Sequence, residues 1–188
     1  MLEYEKKFML TEDEYNSIKK MYGELPSDTQ KNYYFDTDDL AMNKLGITYR
    51  IRKQNGIYKA TIKDHSTDYA DCSVELHLTE KNELDPIVFS DMGLKYQGTL
   101  TTNRMIIYKD SFCEVVLDFN TYLGFTDYEL EIEYMENYEQ KAIILLKDIA
   151  TELVTIKLID SVDLFLAREN KGKCKSQRFY DRKMIGGD

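Results

Sequence analysis

The chain has 188 residues, which corresponds to one domain with one hydrophobic core. Hydrophobic residues make up 43% and charged residues 31% of the sequence, a composition that excludes a disordered chain. A net charge of −9 argues against general binding to nucleic acid or to an anionic membrane, so we expect neither as a partner.

Targeting and cysteine signals are weak. No apolar run approaches the length of a membrane span, and the N-terminus is acidic and polar, so we expect a cytoplasmic protein.

The three cysteines, Cys72, Cys113 and Cys174, are odd in number and far apart in the sequence. With His65 and His77 as the two histidines, we expect neither a disulfide framework nor a zinc site, and no Ser/His or Cys/His nucleophile. We treat residues 1–188 as one domain whose last eight or so residues form a flexible tail.

Alternation of polar and apolar residues with period two predicts five strands in the first half of the chain. These segments are Leu2–Phe8, Asn32–Asp36, Tyr49–Arg52, Ile57–Lys63 and Ser73–Leu78. In the first of them, Glu3, Glu5 and Lys7 share one face, and Lys6 alone breaks the pattern.

Three further strands follow in the second half. Asn103–Asp110 carries Arg104 on one face, residues 114–120 carry Glu114 and Asp118, and residues 129–134 alternate three glutamates with apolar residues. The total is about eight strands, most of them joined by short turns.

Helices are predicted between these strands. Thr11-Glu12-Asp13-Glu14 is a capping box, and it opens a short helix that Gly23 can end. Three more helices are predicted over Thr37–Lys44, Glu136–Thr155 and Ser161–Glu169. The sequence therefore indicates an α+β fold, in which a large antiparallel sheet carries helices.

The charged strand faces admit two interpretations. An antiparallel strand with one charged face usually turns that face to water. Here, however, glutamate and lysine recur at strand centres although they form strands poorly, and they are sorted by strand. The basic set is Arg50, Arg52, Lys59 and Lys63, and the acidic set is Glu129, Glu131 and Glu133. This sorting favours a barrel with a charged interior, where opposite walls neutralise each other and paired carboxylates suit Mg²⁺ or Mn²⁺.

Several segments in order resemble one family. Glu3-Tyr4-Glu5-Lys6-Lys7 is similar to the Glu-x-Glu-x-Lys signature of the CYTH superfamily, the triphosphate tunnel metalloenzymes. The segments that resemble the rest of its pattern are Asn32–Thr37, Tyr49–Arg52, Ala60–Lys63, Val74-Glu75, Arg104, Leu117-Asp118, Tyr128–Glu133 and Lys175-Ser176. The resemblance spans nearly the whole chain, and the ordered set is more specific than any one segment.

The resemblance implies an eight-stranded, closed antiparallel tunnel that hydrolyses or cyclises triphosphates with a divalent metal. The metal-side carboxylates that it implies are Glu3, Glu5, Glu75, Asp118, Glu129 and Glu131, with Glu3, Glu5 and Lys7 as catalytic residues. The phosphate-binding residues that it implies are Lys7, Arg50, Arg52, Lys63, Arg104 and Lys175. The charge pattern alone adds Lys59 and Arg178, and for Lys175 and Arg178 simple tail charge is the alternative.

We expect direct attack of water on a terminal phosphoryl group of inorganic triphosphate, because the predicted interior is almost wholly ionic. Mg²⁺ or Mn²⁺ is the expected cofactor. The alternatives are an adenylate cyclase of the CYTH type, a thiamine or nucleoside triphosphatase, and a polyphosphate- or nucleotide-binding module without catalysis.

Overall fold

The computed structural model describes residues 2–65, 72–85, 87–169 and 173–186 of the chain. The strands are β1 (Leu2–Leu10), β2 (Ser27–Asp36), β3 (Ile47–Gln54), β4 (Ile57–Asp64), β5 (Cys72–Lys81), β6 (Lys95–Lys109), β7 (Cys113–Tyr122) and β8 (Phe125–Tyr134). The helices are α1 (Glu12–Tyr22), α2 (Ala41–Lys44), α3 (Ile87–Ser90), α4 (Glu139–Thr155), α5 (Val162–Leu166) and α6 (Lys175–Ile185). Each predicted strand is present and extends beyond its predicted range; β3, β5 and β7 do so at both ends, and the others at one end.

All strand pairs are antiparallel, and their order in the barrel is β1-β5-β4-β3-β2-β6-β7-β8. Strand β1 pairs with β8 through seven residue pairs, from Tyr4↔Tyr134 to Leu10↔Tyr128. Its pairing with β5 is shorter and comprises three pairs, among them Glu3↔Ser73. The eight-stranded antiparallel sheet with flanking helices confirms the predicted α+β class.

Helix α1 begins and ends where the sequence predicts. The Thr11 hydroxyl accepts a hydrogen bond from the backbone N–H of Glu14 at 3.2 Å, and the Glu14 carboxylate accepts from the Thr11 N–H at 2.8 Å. This is the reciprocal capping box, and Gly23 with φ 75° ends the helix.

Helix α2 is shorter than the predicted Thr37–Lys44 and spans only Ala41–Lys44. The side chain of Asp36 accepts hydrogen bonds from the backbone N–H groups of Met42 and Asn43 at 3.0 and 2.9 Å. The chain before the helix is therefore held as a turn, because local side-chain acceptors compete with helical hydrogen bonds. In the segment that resembles the family, this fully buried aspartate thus has a structural role.

Helices α4 and α5 also begin later than predicted, at Glu139 and Val162. The buried stripe of α4, including Leu146 and Leu153, belongs to a core cluster with Phe8 of β1 and Leu130 of β8. This places α4 outside the barrel wall. The same side receives Lys6, whose ammonium lies 3.0 Å from Glu139 and 3.5 Å from Glu169, which explains the break in the β1 pattern.

Helix α6 corrects the expectation of a flexible tail, because residues 181–185 continue it to Ile185. Its aromatic residues Phe179 and Tyr180 are buried against Tyr34 of β2. A Cβ atom at Gly98 of β6 would lie 2.7 Å from the Phe179 ring, so a glycine is needed for this close approach. The helix is therefore seated on the barrel, with its first turn at the cavity.

Among the described residues, no helix is long and apolar enough to span a membrane.

Candidate functional site

The barrel encloses a cavity of about 760 Å³ whose lining is rich in ionisable side chains. The cations that line it are Lys7, Arg50, Arg52, Lys59, Lys63, Arg104, Lys109 and Lys175. The acids that line it are Glu5, Asp28, Glu75, Glu114, Glu131 and Glu133. The charged strand faces therefore point to the interior. Glu5 and Lys7, for example, keep only 11% of their side-chain surface exposed.

The basic wall is formed by β3 and β4. Arg50 donates to the Glu75 carboxylate at 2.7 Å and to the Thr61 hydroxyl at 3.0 Å. Burial raises the pKa of Glu75, but the charges of Arg50 and Lys63 outweigh this and hold the pKa below its usual value. Glu75 is therefore ionised and engaged with Arg50 on the basic wall.

Arg52 differs from the other cations in this wall. It donates from Nε to the Asn32 side chain at 2.9 Å, and no described carboxylate lies within 4.0 Å of its guanidinium. Burial, together with the nearby Arg50 and Arg104, lowers the pKa of Arg52 to about 10. The register also sets Arg52 directly opposite Lys59, and like charges in that position repel each other. This part of the wall therefore carries positive charge that an anionic ligand can neutralise.

Lys59 and Lys63 are held differently. Lys59 is half exposed and lies 3.2 Å from Glu80 at the rim. Lys63 is buried and donates toward Glu5 at 3.4 Å, so it links the basic wall to β1.

A first group of carboxylates, which we call the open cluster, consists of Glu5, Glu131 and Glu133. The register places Glu5 of β1 opposite Glu133 of β8, and Lys7 opposite Glu131. One oxygen from each of the three carboxylates lies within 4.8 Å of the others, close enough to share one cation. Burial and repulsion from Glu131 raise the pKa of Glu133 to about 7, whereas its side chain keeps 45% of its surface exposed. Glu133 is thus the least neutralised carboxylate of the open cluster, since its described ion pair is with Arg104 at 3.7 Å.

Lys7 partly neutralises this group. It forms an ion pair with Glu5, and the negative charges of Glu5 and Glu131 raise the pKa of Lys7 against the effect of burial. The same lysine, with Lys63, holds the pKa of Glu5 below its usual value although burial opposes this. Both side chains are therefore charged at neutral pH.

A second group, which we call the filled cluster, consists of Asp118, Glu129 and Glu131. All three are buried, and Asp118 and Glu129 are fully inaccessible. Arg104 contacts both Asp118 oxygens at 2.9 and 2.7 Å, and Arg178 contacts both Glu129 oxygens at 3.2 and 3.0 Å. Cations of the chain thus occupy these carboxylates.

Lys175 and Arg178 come from α6, and they are placed among acids. Lys175 lies between the three carboxylates of the filled cluster, and Arg178 also reaches Asp127 at 3.0 Å. Arg104, another predicted phosphate-binding residue, contacts Glu131 at 3.1 Å besides Asp118. The backbone of Glu3 lies in β1, but its side chain is outside the described part of the structure.

Two features of the site escape the sequence reasoning. Glu133 belongs to the acidic strand face predicted from the alternation but was not among the predicted metal ligands, and the structure places it in the open cluster. Cys174 and His65, which the sequence did not bring together, both line the cavity. Although burial raises it, the pKa of Cys174 is lowered to about 6 by His65, Lys7 and the Ser176 hydroxyl, which lies 3.0 Å from the sulfur.

Together, these features define a class of protein: an antiparallel barrel whose enclosed site can hold a polyanion beside a divalent cation. Carboxylate oxygens are the ligands that Mg²⁺ and Mn²⁺ prefer, so the donor set of the open cluster fits such an ion. The model of the CYTH domain family matches residues 1–158, and the chain belongs to that family.

The relatives of the chain are named for two activities, triphosphatase and adenylate cyclase. It is 31% identical over 154 residues to YjbK of Bacillus subtilis, which is named as a candidate triphosphatase; the match covers 73% of this chain and 80% of YjbK.

The fold is similar to that of a candidate adenylate cyclase of Bacillus halodurans, with a TM-score of 0.66, 25% identity and coverage of 95% and 97%. It is also similar to HpAC1 of Hippeastrum, a candidate adenylyl cyclase reported to have a dominant triphosphatase activity. That match has a TM-score of 0.64, 17% identity and coverage of 96% and 95%, and it shows the fold alone. The family and its named relatives confirm the prediction of an enzyme of the triphosphatase type at the level of the family.

Proposed function

We propose that this protein hydrolyses inorganic triphosphate inside the barrel, with Mg²⁺ or Mn²⁺ bound at the open cluster. The observation that carries the proposal is the arrangement of the cavity walls. Arg52, a cation without a described carboxylate partner, and the open cluster with its weakly neutralised Glu133 line the same cavity. A phosphate chain with a divalent cation supplies the charges that both walls lack.

On the basic wall, Arg50, Arg52 and Lys63 bind the phosphate oxygens. The planar guanidinium of an arginine can meet two oxygens at once, which fixes the direction of the chain. Lys59 at the rim meets the end of the chain that lies nearest to solvent.

On the acidic wall, Glu5, Glu131 and Glu133 would hold the metal ion, and Glu3 is kept as a candidate for this set. When bound, a divalent ion neutralises charge on the phosphate and lowers the pKa of a water molecule. The residues of the chain do the rest. Lys7 keeps Glu5 ionised and positioned, and a carboxylate of the acidic wall accepts the proton of the attacking water.

The terminal phosphoryl group is transferred directly to water. The P–O bond to the leaving diphosphate breaks as the new P–O bond forms, and positioning with charge neutralisation supplies most of the catalysis.

Inorganic triphosphate is favoured over nucleotides because the cavity offers charged groups on several sides and little that would read a base. The Gln54 amide at the lining is engaged, since it donates to Asp28 at 2.5 Å. A nucleoside would have to leave through one mouth and gain few contacts there. The cytoplasmic location stays a prediction from the sequence.

The test is a phosphate-release assay with Mg²⁺ or Mn²⁺ over inorganic triphosphate, ATP, GTP and thiamine triphosphate. We expect kcat/KM for inorganic triphosphate to exceed that for ATP under the same metal. A ratio below one would overturn the choice of substrate and favour a nucleotide enzyme.

The second candidate is an adenylate cyclase, and the similarity to the Bacillus halodurans protein favours it. Incubation with ATP distinguishes the two, because a cyclase releases cyclic AMP and diphosphate whereas a triphosphatase releases orthophosphate. Binding of triphosphate without any turnover would support a binding module instead.

A further inference from the structure

Lys175 occupies the centre of the filled cluster. Its ammonium nitrogen lies 2.9 Å from Asp118, 2.5 Å from Glu129 and 2.8 Å from Glu131. An ammonium group has three N–H donors: Lys175 donates to Glu131 at 2.8 Å and forms ion pairs with Asp118 and Glu129. The nitrogen therefore stands where a metal ion bound by the same three side chains would stand.

Each carboxylate of the filled cluster is in contact with cations of the chain. Arg104 and Arg178 each contact both oxygens of one carboxylate, and Lys175 contacts all three acids, although Arg178 is shared with Asp127 and Arg104 with Glu133. Lys175 itself is only 12% exposed, and its pKa is raised because Glu129, Glu131 and Asp118 outweigh the effect of burial. A divalent ion added beside these three cations would leave an excess of positive charge in a buried space, which is unfavourable.

The backbone of α6 holds Lys175 in this position. Phe179, one turn further along, is fully buried against Gly98 and Tyr34, and Lys183 donates to the backbone oxygen of Gln97 at 2.8 Å. Arg178 additionally closes the first turn by donating to the Lys173 backbone oxygen at 3.0 Å. Lys175 is thus presented by an anchored helix.

We propose that Lys175 takes the place of a second metal ion, so that the free protein binds one divalent cation at the open cluster and none at the filled cluster. This inference rests on the proposed function for the metal at the open cluster. It makes Lys175 a positioning residue that holds Glu131, the carboxylate common to both clusters. It also replaces the phosphate-binding role that the family resemblance implies for this lysine.

The test counts Mn²⁺ ions bound to the full chain without substrate, from the free Mn²⁺ signal in electron paramagnetic resonance. We expect one ion per chain for the wild type and two for Lys175→Met, which keeps the length of the side chain but removes the charge. Lys183→Met, a change of the same kind on the same helix, should bind one. Two ions in the wild type, or one in a folded Lys175→Met variant, would overturn the inference.

A second pair of variants decides the matter if Lys175→Met does not fold. Glu129→Gln should change the Mn²⁺ affinity less than twofold, whereas Glu133→Gln should weaken it at least tenfold. The reverse order would place the ion at the filled cluster and refute the inference. Phosphate release is measured separately, so one bound Mn²⁺ without turnover would refute the proposed function and leave the assignment of Lys175 intact.

Discussion

The open and filled clusters share Glu131 and are built from the same residue types, yet they differ in what neutralises them. In the filled cluster, Arg104, Lys175 and Arg178 contact all three acids at close range, whereas in the open cluster Glu133 has one described ion partner, Arg104 at 3.7 Å. Carboxylates spaced i, i+2 on one strand can therefore serve two purposes. The cations that other elements bring near them decide which acids hold the fold together and which are available to a ligand.

The largest effect is expected for Glu131, which belongs to both clusters. Glu131→Gln should lower kcat at least a hundredfold, because it removes a metal-side charge and one of the acceptors of Lys175. Steady-state phosphate release at saturating metal measures this.

Glu129→Gln is the matched comparison, since Glu129 belongs to the filled cluster alone. The Glu129→Gln variant should have a lower free energy of unfolding, because Arg178 then keeps only Asp127 as a carboxylate partner among the described residues. Its kcat should fall less than tenfold. Equal losses of activity in both variants would erase the distinction between the two clusters.

A smaller effect is expected for Arg52, the basic counterpart of the open cluster. Arg52→Ala should lower kcat/KM by about tenfold to a hundredfold through both kcat and KM, because the charge contacts substrate before and during transfer. Arg52→Lys should restore activity only in part, since an ammonium lacks the planar fork.

Lys53→Ala is the control for Arg52, because Lys53 lies next to it in β3 and packs over the Tyr58 ring at 5.2 Å, outside the cavity lining. Its kinetic constants should match those of the wild type. If Arg52→Ala matches them as well, the unpaired guanidinium does not bind phosphate.

The fold was largely readable because burial of one strand face leaves a period-two pattern in the sequence. Even the irregular Lys6 has a partner on the outer layer, where Glu139 and Glu169 accept it. Helix α6 was missed, because five of its eleven residues are charged and its buried pair Phe179 and Tyr180 is consecutive and gives no helical period. The basic residues before Gly186 were the signal that could have indicated it.

The charged residues of the site were predictable as a set, but their partners were not. Charge sorting by strand shows which side chains face inward, whereas the identity of each ion pair depends on register and on a helix distant in sequence. Lys175 illustrates this, since its acidic partners lie on β7 and β8. The pairing of Cys174 with His65 likewise arises only when the barrel brings α6 to the end of β4.

The ionisation of Glu133 is expected to lower the free energy of unfolding of the metal-free protein by about 1 kcal/mol. Its pKa in the folded state, about 7, lies above the ordinary value of 4.5, so the folded state binds the proton more tightly than the unfolded state. The resulting stability is fully present below about pH 4.5 and is lost as pH rises through 7. The magnitude is kept small because nearly half of the side chain is in water.

Urea unfolding at pH 5 and pH 8 with a chelator measures this loss as a difference from Glu133→Gln, which has no charge to gain. The wild type should lose more stability than the variant between the two pH values. An equal loss in both proteins would mean that Glu133 is as well neutralised as the acids of the filled cluster.

The smallest effect is expected for Cys174, and it tests direct attack by water. The thiol has a lowered pKa of about 6 and lines the cavity beside Lys7, so a covalent phosphoryl-cysteine route is the chemical alternative. Direct attack predicts that Cys174→Ala changes kcat less than twofold, with a slightly lower KM because a negative charge near the phosphates is removed. His65→Asn should behave in the same way, since direct attack by water needs no activated thiol. A loss of a hundredfold or more in Cys174→Ala, with phosphate trapped on the wild-type protein after acid quenching, would instead make the thiolate the nucleophile. The metal would then assist the departure of diphosphate, and the contrast between the two clusters would concern the leaving group and not the attacking water.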